Sequence, residues 1–295
     1  MSFAPWLRRR IGRGVKSILV RTAGTGTALL RVLAYHSVDE TGSLISVTPA
    51  ALRRHLEVLR AGGWRGLTAA EFVARLQGAP PAGREVFVTF DDGYANFLSA
   101  AVPVLGALGF PATVFVVTDC MGGVPAWFDR DRDAIGALLD GVPYTAAERR
   151  QWTAASPELA GTRLLDWAEA REAVARGFDV QSHGAAHRFL TRLPADAVAA
   201  DVARSRDAIA RELGVVPRLF CYPYGDADDR VATVVRAHGF AGAVLAEYDG
   251  PSPNPFRQGR VTLNGASDAL DLRVALSPAL DRQAALRRRL RRLRG

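Results

Sequence analysis

The chain has 295 residues, 48% of them hydrophobic, and a formal net charge of +8. That length allows one barrel or two small domains, and the apolar content is enough for a large core. Two cysteines, Cys120 and Cys221, exclude a disulfide framework, and the lack of any run of about 20 apolar residues excludes a membrane span. Residues 1–30 form a basic N-terminal segment. Arg8, Arg9, Arg10, Arg13, Lys16 and Arg21 alternate there with Trp6, Leu7, Ile11, Val15, Ile18 and Leu19. Arg21, Arg31 and Gly24-Thr25-Gly26-Thr27 interrupt the apolar stretch, so it does not read as a secretory signal. Strand-like runs follow at Val32–Tyr35, Val86–Phe90, Thr113–Val117, Asp179–Gln181, Leu219–Tyr222, Gly242–Ala246 and Arg260–Leu263. Helical spacing fills the intervals at Pro49–Ala61, Ala69–Leu76, Leu98–Leu108, Asp166–Arg176, Ala195–Leu213 and Asp228–His238. The alternation predicts an α/β architecture with parallel strands, in a single domain over 31–276. Residues 119–165 lack a strong period, hold Trp127, Phe128 and Trp152, and read as an insertion. In the tail, 277–295, Leu286, Leu290 and Leu293 recur at helical spacing among arginines, which predicts a basic amphipathic helix.

Three short motifs carry chemistry. In Thr89-Phe90-Asp91-Asp92-Gly93 two adjacent carboxylates end a strand. Strand side chains alternate, so the two Asp residues share a task only if the chain bends. Two ionised carboxylates that close repel unless a cation or a shared proton intervenes. In Ser182-His183-Gly184-Ala185-Ala186-His187 the histidines are four apart, which on a helix places them on one face and suits two ligands of one metal. In Phe220-Cys221-Tyr222-Pro223-Tyr224-Gly225 an apolar run ends at Pro223 and Gly225, a corner able to aim the Tyr224 N–H into a cleft.

Together and in this order, the motifs resemble those of the metal-dependent polysaccharide deacetylases, the NodB-like carbohydrate esterases, over roughly residues 31–265. The resemblance implies a distorted, incomplete (β/α) barrel with its site at the C-terminal ends of the strands. It implies Asp91 as catalytic base, Asp92, His183 and His187 as metal ligands, and the Tyr224 N–H as oxyanion donor. It implies a divalent ion, with zinc the default and iron, cobalt, nickel or manganese compatible with mixed N/O ligands. The expected reaction is hydrolytic removal of an N-acetyl group from an amino sugar, oligosaccharide or lipid-linked glycan, releasing acetate. Hydrolysis of a non-sugar or cyclic amide, or glycan binding without catalysis, are the alternatives on the same scaffold.

Two family features are missing. The arginine that usually lies two residues before the proline is replaced by Cys221, and no histidine occurs late in the chain, where Leu270–Leu276 has none. Arg260 is the expected substitute for the arginine, orienting Asp91. His36, in Ala34-Tyr35-His36-Ser37, is the expected general acid and resembles the Tyr-His start of a subgroup with permuted motifs. His55 is expected on the solvent side or edge of its helix, and His238 at a helix C-terminus. Trp127 either stacks on a sugar ring or pins its loop to the body.

Thirteen basic residues lie in two acid-free ends, six in 1–21 and seven in 282–295; subtracting them from +8 leaves −5 for the body, 22–281. Such ends suit an anionic membrane surface, whereas nucleic acid is not expected because stacking aromatics are sparse. The expectation is a cytoplasmic enzyme, peripheral on the inner membrane face.

Overall fold

The computed structural model describes residues 28–43, 45–131, 133–134, 162–265 and 267–292. The N-terminal basic residues up to 27, Trp152, and Leu293 and Arg294 of the tail lie outside the described residues. In chain order, β1 (Leu29–Tyr35) leads to two short strands, β2 (Ser37–Val38) and β3 (Ser46–Val47), and then to α1 (Pro49–Ala61). β4 (Arg65–Gly66), α2 (Ala69–Leu76) and β5 (Arg84–Phe90) follow. A wide turn at Phe97–Ala101 enters α3 (Val102–Leu108), before β6 (Thr113–Val116) and the short α4 (Trp127–Arg130). α5 (Trp167–Ala175), β7 (Asp179–Ser182), α6 (Ala195–Leu213), β8 (Leu219–Cys221), α7 (Asp229–Ala237), β9 (Gly242–Val244) and β10 (Val261–Thr262) continue the alternation. α8 (Ala269–Leu276) and α9 (Pro278–Arg292) end it.

The sheet runs β10-β1-β5-β6-β7-β8-β9, with β4 added beside β5, and every pairing is parallel. Gln258 bridges Val244 while Val261 pairs with Leu33, so the stretch entering β10 touches both ends of the sheet. The result is an incomplete (β/α) barrel. β5 is buried from Glu85 to Phe90, as a parallel strand covered on both faces must be. Val32, Phe87, Phe115, Leu219 and Val244 cluster with Phe72 and Val73 of α2. α2 also touches the starts of three strands. Ala69 N donates to Asp179, Arg75 pairs with Glu85, and Leu76 crowds Gly242. It therefore plugs the N-terminal mouth of the barrel, opposite the strand ends that lead into Asp91 and His183.

Helix ends follow local chemistry. Thr48 caps α1 ahead of Pro49, and Thr68 with Glu71 forms a capping box on α2. His55 corrects an expectation. It is buried on α1, its Nδ1 3.3 Å from the Tyr35 hydroxyl and its Nε2 3.1 Å from the Ser267 carbonyl. Position 55 falls on the same stripe as Leu52, Leu56 and Leu59, and two polar partners let an imidazole stay there. No helix among the described residues is long and apolar enough to cross a membrane.

Candidate active site

The register pairs Tyr35 with Phe90, so His36 and Asp91 leave adjacent strands side by side. Asp92 then takes a left-handed φ of 68° and Gly93 one of 76°. This is the bend that two neighbouring carboxylates require in order to serve one cleft. A non-glycine residue adopts it at a cost of roughly 1–2 kcal/mol.

Asp91 is gripped by Arg260, with Nη1 to Oδ1 and Nη2 to Oδ2 both 2.6 Å. The remaining donors of the guanidinium reach the Leu245 carbonyl at 2.8 Å, Thr89 Oγ1 at 2.9 Å and Cys221 Sγ at 3.1 Å. Both members of the pair are buried. Burial pushes the Asp91 carboxyl up, but the charge and hydrogen bonds of Arg260, with smaller contributions from the neighbouring imidazoles, together hold Asp91 below the usual carboxylate range. Burial opposes the guanidinium charge as well, and the adjoining Asp91 and Cys221 together more than restore it. Cys221, at the place of the missing arginine, contributes a small side chain and a thiol whose pKa burial raises. The guanidinium of Arg260, from the stretch entering β10, thus lies against the small side chain that ends β8. His36 Nε2 lies 3.9 Å from Asp91 Oδ2, with the ring 22% exposed.

Asp92 Oδ1 lies 3.3 Å from Nε2 of His183 and 3.3 Å from Nε2 of His187. His183 sits just beyond β7, its N–H donating to the Val116 carbonyl at 2.9 Å. Its Nδ1 lies 2.8 Å from the Cys221 carbonyl. A carbonyl only accepts, so Nδ1 carries a proton, which leaves Nε2 as the nitrogen that faces Asp92. Burial pushes the Asp92 carboxyl up, and its contacts with the two imidazoles bring it well below its usual range.

The two histidines do not share a helix face, contrary to the expectation from their spacing. Residues 183–187 form a loop in which Gly184 has φ 77° and His187 φ 50°. The backbone groups that would close a helical turn go elsewhere. Asp201 of α6 accepts from the N–H of Ala185 and Ala186, while the Gly184 and Ala185 carbonyls accept from Thr118 and Asp119. The side chains converge even so, their rings 4.9 Å apart. The ligand atoms of Asp92, His183 and His187 lie within 4.8 Å of one another. One carboxylate oxygen and two imidazole nitrogens, all buried, fit a divalent cation. Asp91, His183 and Cys221 form a second cluster of that kind. Arg260 already engages both carboxylate oxygens and the sulfur there, so a cation would face a guanidinium.

Tyr224 has φ 59° in the corner between Pro223 and Gly225. Its ring stacks on Phe189 at 3.9 Å, meets His187 edge-on at 4.5 Å, and its hydroxyl donates to Asp131 at 2.8 Å. Trp127 is 1% exposed and stacks on the His187 ring at 4.4 Å. Buried in this way, it pins the loop and offers no face to a sugar. Sequence reasoning missed Asp201 and Arg130, which both hold the 183–187 loop. Asp201 had a signal, because it interrupts the apolar stripe of α6 formed by Val198, Val202 and Ile209.

A family model described as polysaccharide deacetylase matches residues 78–243, more than half of the chain. The chain belongs to the polysaccharide deacetylase family. The matched stretch holds Asp91, Asp92, His183, His187 and Tyr224, whereas His36 and Arg260 fall outside it. The poly-β-1,6-N-acetyl-D-glucosamine N-deacetylase of Escherichia coli (strain K12) is 25% identical over 222 residues, 66% of this chain and 30% of the relative. Chitin deacetylase 2 of Cryptococcus neoformans var. neoformans is 33% identical over 78 residues, 26% of this chain and 17% of the relative. The chain spans about a third or less of the length of the curated relatives it matches. Among solved structures, the Streptococcus pyogenes deacetylase PplD superposes with a TM-score of 0.67 at 18% identity, covering 85% of this chain and 100% of that one. IcaB from Ammonifex degensii gives 0.66 at 24% identity, covering 86% and 99%. These likenesses support the incomplete barrel of the deacetylase fold.

Proposed function

We propose that this polysaccharide deacetylase hydrolyses N-acetyl groups on an amino-sugar glycan or glycan precursor, releasing acetate. The observation that carries the reading is the approach of His183 and His187 to one oxygen of Asp92, 3.3 Å each, beside an Asp91 kept ionised by Arg260. Asp92, His183 and His187 would hold a divalent ion, with zinc the default for this donor set. Such an ion polarises an acyl oxygen and acidifies water. Asp91 accepts the proton of the attacking water, and Arg260 fixes the carboxylate plane. The Tyr224 N–H donates to the oxyanion as it develops. His36 gives a proton to the departing sugar nitrogen, which leaves poorly as an anion. Relatives named for poly-N-acetylglucosamine and chitin support a β-linked N-acetylglucosamine substrate class.

The basic ends add a second element, association with an anionic membrane surface. α9 carries exposed Arg282, Leu286 and Arg289, and its start is tied to the body where buried Arg31 donates to Asp281 at 3.0 Å.

The test is acetate release by chelator-stripped and metal-reloaded protein on polymeric, lipid-linked and nucleotide-linked N-acetyl sugars, with cyclic amides in parallel. Activity should appear on the sugars, depend on metal, and vanish in Asp91→Asn while metal binding persists. Undiminished release by the stripped protein or by Asp91→Asn overturns the assignment, and preference for cyclic amides replaces it.

A further inference from the structure

The two histidines beside Asp92 are held in different ways. His183 has the common arrangement of a metal-binding imidazole, its outer nitrogen bonded to a carbonyl, here that of Cys221. His187 does not. Its Nδ1 is buried and has no hydrogen-bond partner among the described residues. Beyond the approach of Nε2 to Asp92, no polar contact sets the plane of that ring, and its backbone sits at φ 50°, a region that is costly for a β-substituted residue.

What fixes His187 instead comes mainly from α4, inside the 119–165 segment. Trp127 lies nearly flat against the imidazole, 4.4 Å away at 22°. Arg130 donates to the Ala186 carbonyl at 2.8 Å and also to the His187 carbonyl. The guanidinium is itself braced by Asp131, through Nε at 3.0 Å and Nη2 at 2.7 Å. Asp131 in turn accepts from Tyr224, whose ring closes the edge of His187. From the other side Asp201 takes the N–H groups of Ala185 and Ala186, at 2.9 and 3.1 Å. Consecutive peptides are thus gripped by a cation on their carbonyls and an anion on their amides.

We propose that Trp127 and Arg130 are positioning residues that pre-set His187 as a metal ligand, by stacking and by a backbone clamp in place of a hydrogen bond to the ring. The consequence is that metal affinity depends on α4, which contributes no ligand. This rests on the reading of Asp92, His183 and His187 as the metal site.

The test uses the full chain and Co²⁺ alone. Affinity is measured by chelator competition and ligand geometry by the visible absorption of bound Co²⁺, well below each variant's melting temperature. Arg130→Ala and Trp127→Ala should each raise the Co²⁺ dissociation constant about 10–100-fold and change the intensity of the absorption bands. Trp127→Phe, which keeps a flat ring against the imidazole, should recover most of the affinity. Arg130 is one-third exposed, so its replacement leaves the core intact if Trp127→Ala does not fold. Variants that melt earlier yet bind Co²⁺ with wild-type affinity and spectrum overturn the proposal, since that is the behaviour of a purely structural role. A wild-type protein that binds no Co²⁺ overturns the metal reading and this inference with it.

Discussion

Replacing Arg260 by Ala removes the only guanidinium that touches Asp91 among the described residues. The two side chains are 1% and 5% exposed, so the carboxylate left behind is buried, with His36 at 3.9 Å beside it. Breaking a buried pair by deleting one partner costs about 3–5 kcal/mol. The Leu245 carbonyl and Thr89 Oγ1 lose a donor as well, which adds to that figure. At about 2–4 °C per kcal/mol for a domain of this size, the melting temperature should fall by roughly 6–20 °C. Turnover should fall by about a hundredfold or more, because the base is no longer held in plane. The sharper expectation concerns position 221. Cys221 Sγ lies 3.1 Å from the same guanidinium, so an arginine grown from β8 should enter the vacated volume. Cys221→Arg alone should destabilise, since two guanidinia then compete for one buried slot. Cys221→Arg combined with Arg260→Ala should regain much of the stability and turnover lost by Arg260→Ala, a strongly non-additive cycle. Thermal melts and kcat on all four proteins read this out. An Arg260→Ala protein with unchanged melting temperature and kcat refutes the ion-pair argument. A double variant no better than Arg260→Ala refutes the exchange of positions.

His36→Ala should cut turnover of N-acetyl sugars by about 10²–10⁴-fold while sparing an aryl acetate, whose leaving group needs no proton; equal losses on both substrates would remove His36 as the acid. Glu85, hydrogen-bonded to Arg75 at 2.7 and 2.9 Å, has its pKa lowered from 4.5 to about 2, those bonds and that of Arg65 prevailing over burial. A carboxyl depressed in the folded state adds stability above pH 4.5 that is lost as pH falls toward 2. Denaturant unfolding should therefore show wild-type stability dropping through that window while Glu85→Gln, weaker at neutral pH, stays flatter; parallel curves would disprove it. Liposomes rich in anionic lipid should co-sediment the full chain more than a form ending at Asp281, which keeps the Arg31 contact, and the difference should shrink with salt. Equal sedimentation of both forms rules out the tail as a membrane contact.

The parts of this molecule legible in its sequence are those whose cause is local. α1, α2 and α6 begin and end where spacing and capping place them, because Thr48 with Pro49, Thr68 with Glu71, and Gly214 act on their own or adjoining turns. The strands carrying Asp91, His183 and Cys221 are equally local, being short apolar runs closed by turn residues. Other features depend on which strands lie side by side. Arg260 reaches Asp91 across 169 positions because the stretch entering β10 touches both β9 and β1. The His183–His187 spacing suggested a helix, yet Asp201, on an element that follows it, takes the amides such a helix would need. His55 and Asp201 share one lesson. Each interrupts an apolar helical stripe, and each is buried with partners supplied by another element. A titratable side chain on a buried stripe has to find its partner somewhere, so its position in the sequence already announces a contact, and only the fold names the other half. For Asp201 that other half is the peptide backbone beside His187, which makes a residue of α6 part of the architecture of the site.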